Sequence, residues 1–227
     1  MSGPTTIYVC QLKEPTESQV DAIVDICVNA YRGDVSTKVF TGNNPALDEP
    51  MWRAMVRAGF HSGTVYVATD DFIDSNSNSN SIMSVGVWFG PGNVLYMTED
   101  QRALGYTDFF RRVSPECRDW MMRDFSPKVR PFKNRALGET TERNSWYCNI
   151  LATHPNYQRR GLATAIIKTV CARAAVEGVP ICLGTQSEKN ALFYRHRGLR
   201  EVGKMDEPTP WGVITGNVFI LEPSVDY

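Results

Sequence analysis

One stretch decides the fold of this chain: WYCNILATHPNYQRRGLA, residues Trp146 to Ala163. It opens with β-favouring residues, breaks at His154-Pro155-Asn156 and then continues as a helix. The helix is predicted from one apolar stripe at helical spacing, formed by Ala163, Ile166, Ile167, Val170, Cys171 and Ala174. The stretch therefore predicts a strand, a turn and a helix.

The turn within this stretch suits an anion. It carries two basic side chains, Arg159 and Arg160, beside the small residues Gly161 and Ala163. The first N–H groups of a helix have no intrahelical partner, and the positive end of the helix dipole favours negative charge. We therefore expect a phosphate or pyrophosphate site at the start of this helix.

The same turn carries a motif. Gln158, Gly161 and Ala163 follow the pattern Gln/Arg-x-x-Gly-x-Gly/Ala. This pattern resembles the acyl-CoA-binding motif of the GCN5-related N-acetyltransferase (GNAT) superfamily.

A second segment agrees with the first. In the superfamily an Asn precedes a Phe-Tyr pair and a closing Gly, and this chain has Asn190, Phe193-Tyr194 and Gly198 in those places. The resemblance is strongest over residues 146–200. In its narrower form it is a resemblance to a small-molecule acetyltransferase of the fungal type.

The resemblance implies acetyl-CoA as the cofactor. The central strand would offer free backbone groups to the pantetheine amides, and a strand N–H near Leu151 would meet the oxyanion. The turn would hold the pyrophosphate on its backbone N–H groups, and Asn190 would bond the pantetheine arm. The expected cofactor-binding residues are Leu151, Ala152, Thr153, Gln158, Arg159, Arg160, Gly161, Leu162, Ala163, Thr164, Asn190 and Tyr194.

Tyr194 is the expected catalytic residue, because the resemblance implies a hydroxyl beside the thioester sulfur. Attack of an amine on acetyl-CoA expels a thiolate whose conjugate acid has a pKa of about 8.5. A positioned donor can assist its departure by a factor of about 10² to 10⁴. We interpret Tyr194 as the general acid; the alternative is a tyrosine that only packs its helix on the sheet.

The general base is not identified by the sequence. Many superfamily members carry a Glu on the central strand, but this strand begins Trp146-Tyr147-Cys148-Asn149 and has no carboxylate. The alternatives are a water chain, a substrate amine that is already neutral, or one of the carboxylates Glu139, Glu142, Glu99 and Asp100. For His154, at the end of the strand, we expect a structural role.

The acceptor site is expected near the N-terminal helices, which border the acceptor in the superfamily. Side chains of the central strand add candidates, because they alternate between its two faces. The final strand pair adds one more aromatic residue. The predicted acceptor-binding residues are Tyr31, Phe40, Trp52, Trp146, Tyr147, Asn149 and Trp211. Each of them could instead only pack in the core.

The whole pattern predicts one α+β (α/β) domain over residues 1–227, with its core motif at 146–200. Periodicity predicts the order β-α-α-β-β-(insertion)-β-α-β-α-β-β, a mixed central sheet flanked by helices, which is the order of the GNAT fold. The segment around Phe40, between the first two helices, is predicted as loop. Residues 91–145 predict a helical insertion that is either an apolar lid over the acceptor or extra core packing.

Composition excludes several classes of protein. The chain is 42 % hydrophobic, and its net charge of −1 gives no reason to expect nucleic acid or a membrane as partner. We predict no signal peptide or membrane span, and therefore a cytoplasmic protein. For the oligomeric state, the prediction is a monomer or a homodimer. The six cysteines are scattered, with no Cys-x-x-Cys pair, so we expect no metal site.

These observations predict an acetyl-CoA-dependent N-acetyltransferase that acetylates the amine of a small molecule, such as a metabolite, toxin or antibiotic, by direct attack in a ternary complex. Two alternatives stay open. One is a protein acetyltransferase acting on N-termini or lysines. The other is a non-catalytic acyl-CoA-binding module.

Overall fold

The computed structural model describes residues 6–70 and 82–223. Over these residues the strands are β1 (Tyr8–Leu12), β2 (Thr64–Thr69), β3 (Ser84–Phe89), β4 (Trp146–Thr153), β5 (Ile181–Thr185), β6 (Arg200–Thr209) and β7 (Gly212–Leu221). They form one sheet in the order β1-β2-β3-β4-β5-β7-β6. The β4–β5 pair is parallel and the other pairs are antiparallel, so the sheet is mixed, as predicted.

The α-helices of the described residues are α1 (Glu17–Ala30), α2 (Val35–Phe40), α3 (Asp48–Ser62), α4 (Glu99–Ala103), α5 (Tyr106–Arg112), α6 (Pro115–Asp119), α7 (Ser126–Leu137), α8 (Leu162–Glu177) and α9 (Glu188–Arg195). A π-helical segment, Trp120–Phe125, joins α6 to α7, and short 3-10 turns occupy Pro45–Leu47 and Pro155–Tyr157. In the described part of the chain, no helix has the length and apolar character needed to span a membrane.

The segment predicted as loop around Phe40 is partly helical. Helix α2 begins after Asp34, whose carboxylate accepts a hydrogen bond from the Ser36 N–H at 2.8 Å. The 3-10 turn begins after Asn44, whose side chain accepts from the Ala46 N–H at 3.1 Å. The loop prediction was wrong because six helical residues are too few to show a 3.6-residue period, whereas the Asp and Asn caps were readable.

Helices cover both faces of the sheet. Helices α1 and α3 and part of the insertion pack on one face, in a cluster that contains Ile23, Val56 and Phe109. Helices α8 and α9 pack on the other face, with Ile166 and Ala191 fully buried. Burying one apolar stripe of each helix on the sheet is the main stabilising contribution in such a layered fold.

A β-bulge in β4 changes which face its side chains occupy. In the β3–β4 register Val87 pairs with Ile150 and Trp88 with Cys148, so Asn149 is the extra residue. Before the bulge, Cys148 packs with α8, whereas Ile150 after it packs on the α1 and α3 face. In a regular strand, without the bulge, residues 148 and 150 would share a face.

Strands β4 and β5 separate soon after they begin. Their pairing covers Trp146–Cys148 with Ile181–Leu183. Residues 149–153 of β4 therefore have no partner on the β5 side. The resemblance implied this separation, and it opens a cleft in the middle of the sheet.

The helical insertion predicted at 91–145 is present as α4 to α7 with the π-helical segment. It is fixed to the far edge of the sheet: the Trp120 indole N–H donates to the Pro208 carbonyl at 3.2 Å, and Lys128 pairs with the buried Glu207 at 2.6 Å. Gly203 lies so close to α7 that an added Cβ would be 2.8 Å from the Ala136 Cβ. The insertion therefore crosses over the cleft and contacts β6.

Candidate active site

A cavity of about 440 Å³ lies where the cleft, the N-terminal helices and the insertion meet. This volume is typical of sites for small organic ligands. The described residues of its wall come from the segment after α1, from α2 and α3, from the insertion, and from β4, β5, α9 and the segment before it. Its wall includes eight of the predicted site residues, Tyr31, Phe40, Trp52, Tyr147, Asn149, Leu151, Asn190 and Tyr194.

The start of α8 has the geometry expected of an anion site. Arg159 and Gly161 have positive φ angles of 64° and 89°, so the backbone turns sharply before the helix. The first N–H to bond within the helix is that of Ala165, which donates to the Gly161 carbonyl at 2.9 Å. The N–H groups of residues 162–164 therefore have no intrahelical acceptor. The first turn of α8 has no acidic residue.

Side chains hold this turn in place. The Gln158 amide donates to the Thr153 carbonyl at 3.3 Å, which ties the turn to the end of β4. The Arg160 guanidinium lies 5.1 Å from the centroid of the Tyr157 ring and 3.6 Å from the Asp70 carboxylate. Gln158, Arg159, Arg160 and Gly161 are all exposed, so a ligand can reach them.

Tyr194 lies on α9 and is 7 % exposed. Its ring contacts those of Phe193 and Phe219, at centroid distances of 5.3 and 5.7 Å. Burial, and then the neighbouring Cys148 thiol, raises the pKa of Tyr194 well above its usual value. The hydroxyl therefore keeps its proton at neutral pH, which a general acid requires.

The strand edge at Leu151 is tied to α1. The hydroxyl of Tyr31, the first residue after α1, donates to the Leu151 carbonyl at 3.1 Å. Burial, and then the nearby Tyr194, raises the pKa of Tyr31. Both tyrosines therefore present protonated hydroxyls beside the cleft.

Residues 133–201 match the family model described as acetyltransferase (GNAT) domain. The matched residues include β4, α8, β5 and α9, and hence the turn at Gly161 and the helix that carries Tyr194. Residues 133–201 carry the GNAT acetyltransferase domain. The match confirms the superfamily and the enzyme class predicted from the sequence, an N-acetyltransferase. The fungal small-molecule subtype stays a prediction.

Solved structures share the GNAT fold with this chain. A protein described as histone acetyltransferase and related acetyltransferase from Corynebacterium glutamicum is 17 % identical, with a TM-score of 0.60 over 96 % of this chain and 97 % of that chain. A Drosophila melanogaster polyamine N-acetyltransferase is 13 % identical, with a TM-score of 0.59 over 96 % and 100 %. An N-acetyltransferase from Staphylococcus aureus Mu50 is 9 % identical, with a TM-score of 0.52 over 96 % and 99 %.

At these identities the structural similarity is evidence for the fold alone. No curated protein sequence matches the chain.

The insertion forms the aromatic wall of the cavity in the GNAT domain. Tyr106 stacks on Tyr96 and on Phe110, at centroid distances of 4.1 and 5.7 Å. Phe40, at the end of α2, meets Phe125 edge to face at 5.1 Å. The insertion also contributes buried core residues such as Phe109, so it both lines the cavity and extends the core.

A half-buried lysine lies at the side of the cavity. The Lys133 ammonium pairs with the Glu142 carboxylate and lies 4.4 Å from the centroid of the Tyr147 ring. Burial would lower the pKa of Lys133, but its interactions with Tyr147 and Glu142 raise it above its usual value. Lys133 is therefore positively charged, and the Glu142 carboxylate balances its charge. The pKa of Tyr147 is raised mainly by burial, so its hydroxyl stays neutral.

Two predicted acceptor residues do not line the cavity. Trp146 lies before the bulge and faces α8, where its N–H donates to Glu177 at 2.8 Å and the Arg173 guanidinium lies 4.4 Å from its ring. Trp211 follows β6 and packs against the α1 and α3 face. The bulge at Asn149 explains the position of Trp146, because it moves the preceding alternate residues of β4 to the α8 face.

The predicted cofactor residues of β4 also differ in access. Ala152 is 2 % exposed. The Thr153 hydroxyl lies 2.8 Å from the Ser84 hydroxyl, within hydrogen-bonding distance. Any contact of these two residues with a ligand would therefore be made by the backbone.

The carboxylates considered as bases lie outside the cavity wall. Glu99 and Asp100 are exposed in the first turn of α4, and Glu142 pairs with Lys133. His154 has a structural contact: its Nδ1 accepts a hydrogen bond from the Asn156 N–H at 3.3 Å. Across residues 6–70 and 82–223, no cluster of His, Cys, Asp or Glu could hold a metal ion.

Sequence reasoning missed the two charged residues of the cavity wall, Asp34 and Lys133. Asp34 had a readable signal, because Asp before a helix is a typical N-cap. Lys133 had none, because its position depends on how α7 packs against the sheet.

Proposed function

We propose that this chain transfers the acetyl group of acetyl-CoA to the amine of a small molecule, with both substrates bound in a ternary complex. One observation carries the proposal: a single cavity is lined by Tyr194, by the unpaired part of β4 and by the aromatic insertion. Such a cavity can hold a donor and an acceptor side by side, which removes the entropic cost of bringing them together.

The residues present fit acetyl-CoA. Residues 149–153 of β4 lack a strand partner on the β5 side, as pairing with pantetheine amides requires. The N-terminus of α8 has a positive-φ glycine and no acidic residue in its first turn, which suits a pyrophosphate. The residues that would hold the group are Leu151 to Thr153, Gln158 to Thr164 and Asn190. When bound, acetyl-CoA supplies an acetyl group activated as a thioester.

The residues of this chain supply a proton and a dry environment. Tyr194 keeps its hydroxyl proton because its pKa is raised by burial, and it can donate that proton to a departing thiolate. The stacked rings of Tyr96, Tyr106 and Phe110 give the cavity an apolar side, which would exclude water around a bound acceptor. Exclusion of water strengthens such hydrogen bonds and suppresses hydrolysis.

The covered cavity favours a small acceptor over a protein. An extended peptide needs an open groove or a free strand edge, whereas here the insertion crosses over the cleft and is fixed to β6 through Trp120 and Lys128. The Drosophila protein of the same fold is described as a polyamine N-acetyltransferase, so small amines are acceptors for this fold.

We also propose a cytoplasmic location. All six cysteines are unpaired, and five of them are buried. Chains with several free thiols are typical of reducing compartments.

The test is an assay of CoA release from acetyl-CoA with a panel of small amines and, separately, a panel of peptides with free N-termini or lysines. Calorimetry with acetyl-CoA measures donor binding independently. We expect donor binding and turnover with at least one small amine. Donor binding without turnover of any compound would indicate a non-catalytic module, and faster turnover of peptides than of every small amine would indicate a protein acetyltransferase.

A further inference from the structure

The cavity wall carries an unbalanced carboxylate. Among the described residues that line the cavity, Asp34 is the only acidic residue and Lys133 the only basic one. Lys133 pairs with Glu142, which lies outside the wall. The carboxylate of Asp34 therefore remains as the net charge of the site, and a negative charge in a cleft attracts cations.

One oxygen of this carboxylate is open to a ligand. The Ser36 N–H donates to Oδ1 of Asp34 at 2.8 Å, and the Ser36 hydroxyl donates to the same oxygen. Within residues 6–70 and 82–223 no donor reaches Oδ2. The cations nearest in sequence, Arg32 and Lys38, are exposed, and Arg32 donates to Asn29 at 2.9 Å. Both donors to Oδ1 are neutral, so they hold the carboxylate in place and leave its charge intact.

Aromatic side chains share the wall with this carboxylate. The Asp34 N–H donates to the Tyr31 carbonyl at 3.0 Å, and the Tyr31 ring stacks on that of Trp52 at a centroid distance of 4.4 Å. Stacking covers one face of each ring, and an uncovered aromatic face attracts an ammonium group. A carboxylate among aromatic side chains therefore suits an ammonium group on an apolar body.

The same tyrosine connects Asp34 to the reacting centre. The backbone carbonyl of Tyr31 is bonded to Asp34, and its hydroxyl donates to the Leu151 carbonyl at 3.1 Å. The hydroxyl also lies close enough to Tyr194 for that residue to contribute to the raised pKa of Tyr31. The carboxylate and the candidate general acid therefore adjoin opposite ends of Tyr31, and an amine and a thioester can lie between them.

We propose that Asp34 binds the acceptor: its Oδ2 pairs with the ammonium group of a primary amine on an apolar body and then accepts one proton from it. This inference rests on the proposed acetyltransferase function. It assigns the general base, which β4 lacks, to the segment between α1 and α2. It also predicts that the acceptor enters the cavity as a cation.

The protons balance without a further reactant. The first transfer breaks one N–H bond of the ammonium ion and forms one O–H bond on Asp34. Attack of the neutral amine then forms an N–C bond and breaks the C–S bond, whose electron pair leaves on sulfur. Tyr194 gives its proton to the sulfur and takes the second proton of the nitrogen, and Asp34 releases the first to the solvent. Exclusion of water by the acceptor favours the first transfer, because it disfavours the charged forms of both groups.

The charge of Asp34 can be removed without removing the helix cap. Asn and Asp are equally good N-caps, so Asp34→Asn can still accept from the Ser36 N–H. Asp25→Asn is the matched control, because Asp25 is exposed on α1 and lies outside the cavity wall. Its carboxylate accepts from the Asn29 side chain at 2.9 Å, and an amide oxygen can replace it there. Thermal unfolding of both variants should match that of the wild type.

Binding tests the pairing. 2-Phenylethylamine and 2-phenylethanol have almost the same shape, but at neutral pH the amine is a cation and the alcohol is neutral. Calorimetry with the CoA complex measures their binding without turnover, and the wild-type protein should bind the amine more tightly by at least about tenfold. In Asp34→Asn the dissociation constant of the amine should rise by about 10- to 100-fold, the usual loss of a charge-assisted hydrogen bond. That of the alcohol should change by less than about threefold.

Turnover tests the proton transfer. With acetyl-CoA and 2-phenylethylamine, kcat of Asp34→Asn should fall by about 10² to 10⁴, the usual contribution of a general base. 4-Ethylaniline is an isomer that is neutral at neutral pH, so no first proton has to be removed. With this isomer kcat should change by less than about threefold. Asp25→Asn should match the wild type with both amines.

The outcomes separate the inference from the function on which it rests. Wild-type protein that binds the alcohol as tightly as the amine, or Asp34→Asn with unchanged binding and turnover, would overturn the inference and leave the acetyltransferase function intact. Weaker binding of the amine with an unchanged kcat would overturn the role of Asp34 as a base. Acetylation of peptides but of neither amine would also overturn the inference. Binding of acetyl-CoA without acetylation of any compound would overturn both.

Discussion

The phenol ring of Tyr31 lies almost parallel to the indole of Trp52, with ring centroids 4.4 Å apart and an angle of 17° between the planes. The Tyr31 hydroxyl at the same time donates to the Leu151 carbonyl at 3.1 Å. One side chain therefore connects the aromatic wall of the cavity to the strand edge that is predicted to bind pantetheine.

Replacing this tyrosine separates its two contacts. Tyr31→Phe keeps the stacking and removes the hydroxyl, so we expect the free energy of unfolding to fall by about 1 kcal/mol. Tyr31→Leu should lose a further ~1 kcal/mol with the aromatic pair. Urea titration of both variants measures the difference. Equal losses in the two variants would contradict a contribution from the stacking.

The second prediction concerns the hydroxyl of Tyr194. In Tyr194→Phe, kcat should fall by about 10² to 10⁴ because the departing thiolate loses its proton donor. The dissociation constant of acetyl-CoA should change by less than about threefold, since the donor acts mainly in the transition state. Stopped assays and calorimetry measure the two quantities.

A matched control is Tyr66→Phe. The Tyr66 hydroxyl contacts Arg173 at 3.4 Å on the α8 face, outside the cavity wall. Its loss should leave kcat near the wild-type value. If both variants lose activity equally, the role of Tyr194 is structural.

The third prediction uses the two glycines that flank α8. Gly161 and Gly178 have φ angles of +89° and +67°, so alanine at either position should cost about 1–2 kcal/mol of stability. At Gly161 an added Cβ would also lie 3.3 Å from the Ile7 Cδ1. We expect only Gly161→Ala to weaken binding of CoA, because Gly178 lies at the other end of the helix.

Calorimetry with CoA and with pantetheine, which has no phosphate, distinguishes the pyrophosphate contact from the rest of the site. The effect of Gly161→Ala should appear with CoA and be small with pantetheine. A similar loss with both ligands, or with Gly178→Ala, would argue against a pyrophosphate site at this turn.

The fourth prediction concerns the contact between α7 and β6. In Gly203→Ala the new Cβ would lie 2.8 Å from the Ala136 Cβ and 3.1 Å from the Phe132 ring, so α7 must shift, at a cost of about 1–3 kcal/mol. Because α7 contributes Lys133 to the cavity, KM for the amine should rise while the dissociation constant of acetyl-CoA stays unchanged. Gly216→Ala on β7 is the control, since its nearest neighbour is 3.9 Å away.

The fifth prediction concerns alkaline pH. Burial raises the pKa of the Cys117 thiol to about 11 and that of Cys182 to about 12, from an ordinary value of 9.0. The pKa of each thiol is higher in the folded state than in the unfolded state. The contribution of the two protonated thiols to stability is therefore complete below pH 9.0, and it is lost as the pH rises towards the folded-state pKa values. The free energy of unfolding should fall above about pH 9, by up to about 1.4 kcal/mol per pH unit for each such thiol.

Urea titrations from pH 7 to pH 11 measure this slope. In a variant with Cys117→Ala and Cys182→Ala the slope should be smaller, although the new cavities lower the stability at every pH. A wild-type stability that is constant up to pH 11 would contradict the prediction.

Local sequence was sufficient for the elements that carry regular patterns. The apolar stripe of α8 and the motif at Gln158, Gly161 and Ala163 were readable because helix period and turn chemistry act over a few residues. The same holds for the strands and for the aromatic insertion. Helix α2 was missed because it is shorter than two helical turns.

Which residues line the cavity could not be predicted from local sequence patterns, because it depends on the register of the sheet and on how the helices pack. The bulge at Asn149 decided that Trp146 faces α8, away from the cavity, and a single extra residue in a register leaves no mark in the sequence of one strand. The positions of Lys133 and Asp34 depended on how separate helices pack.

By itself, then, the sequence determined the GNAT fold and the location of the candidate donor site, because both rest on contiguous segments whose backbone geometry is set by neighbouring residues. Tertiary structure decided which aromatic residues line the cavity, and that its two charged residues, Asp34 and Lys133, contact Ser36 and Glu142. The physical reason is that a cavity wall is assembled from elements distant in the chain, and its charge balance depends on ion pairs and caps that exist only after those elements have packed together.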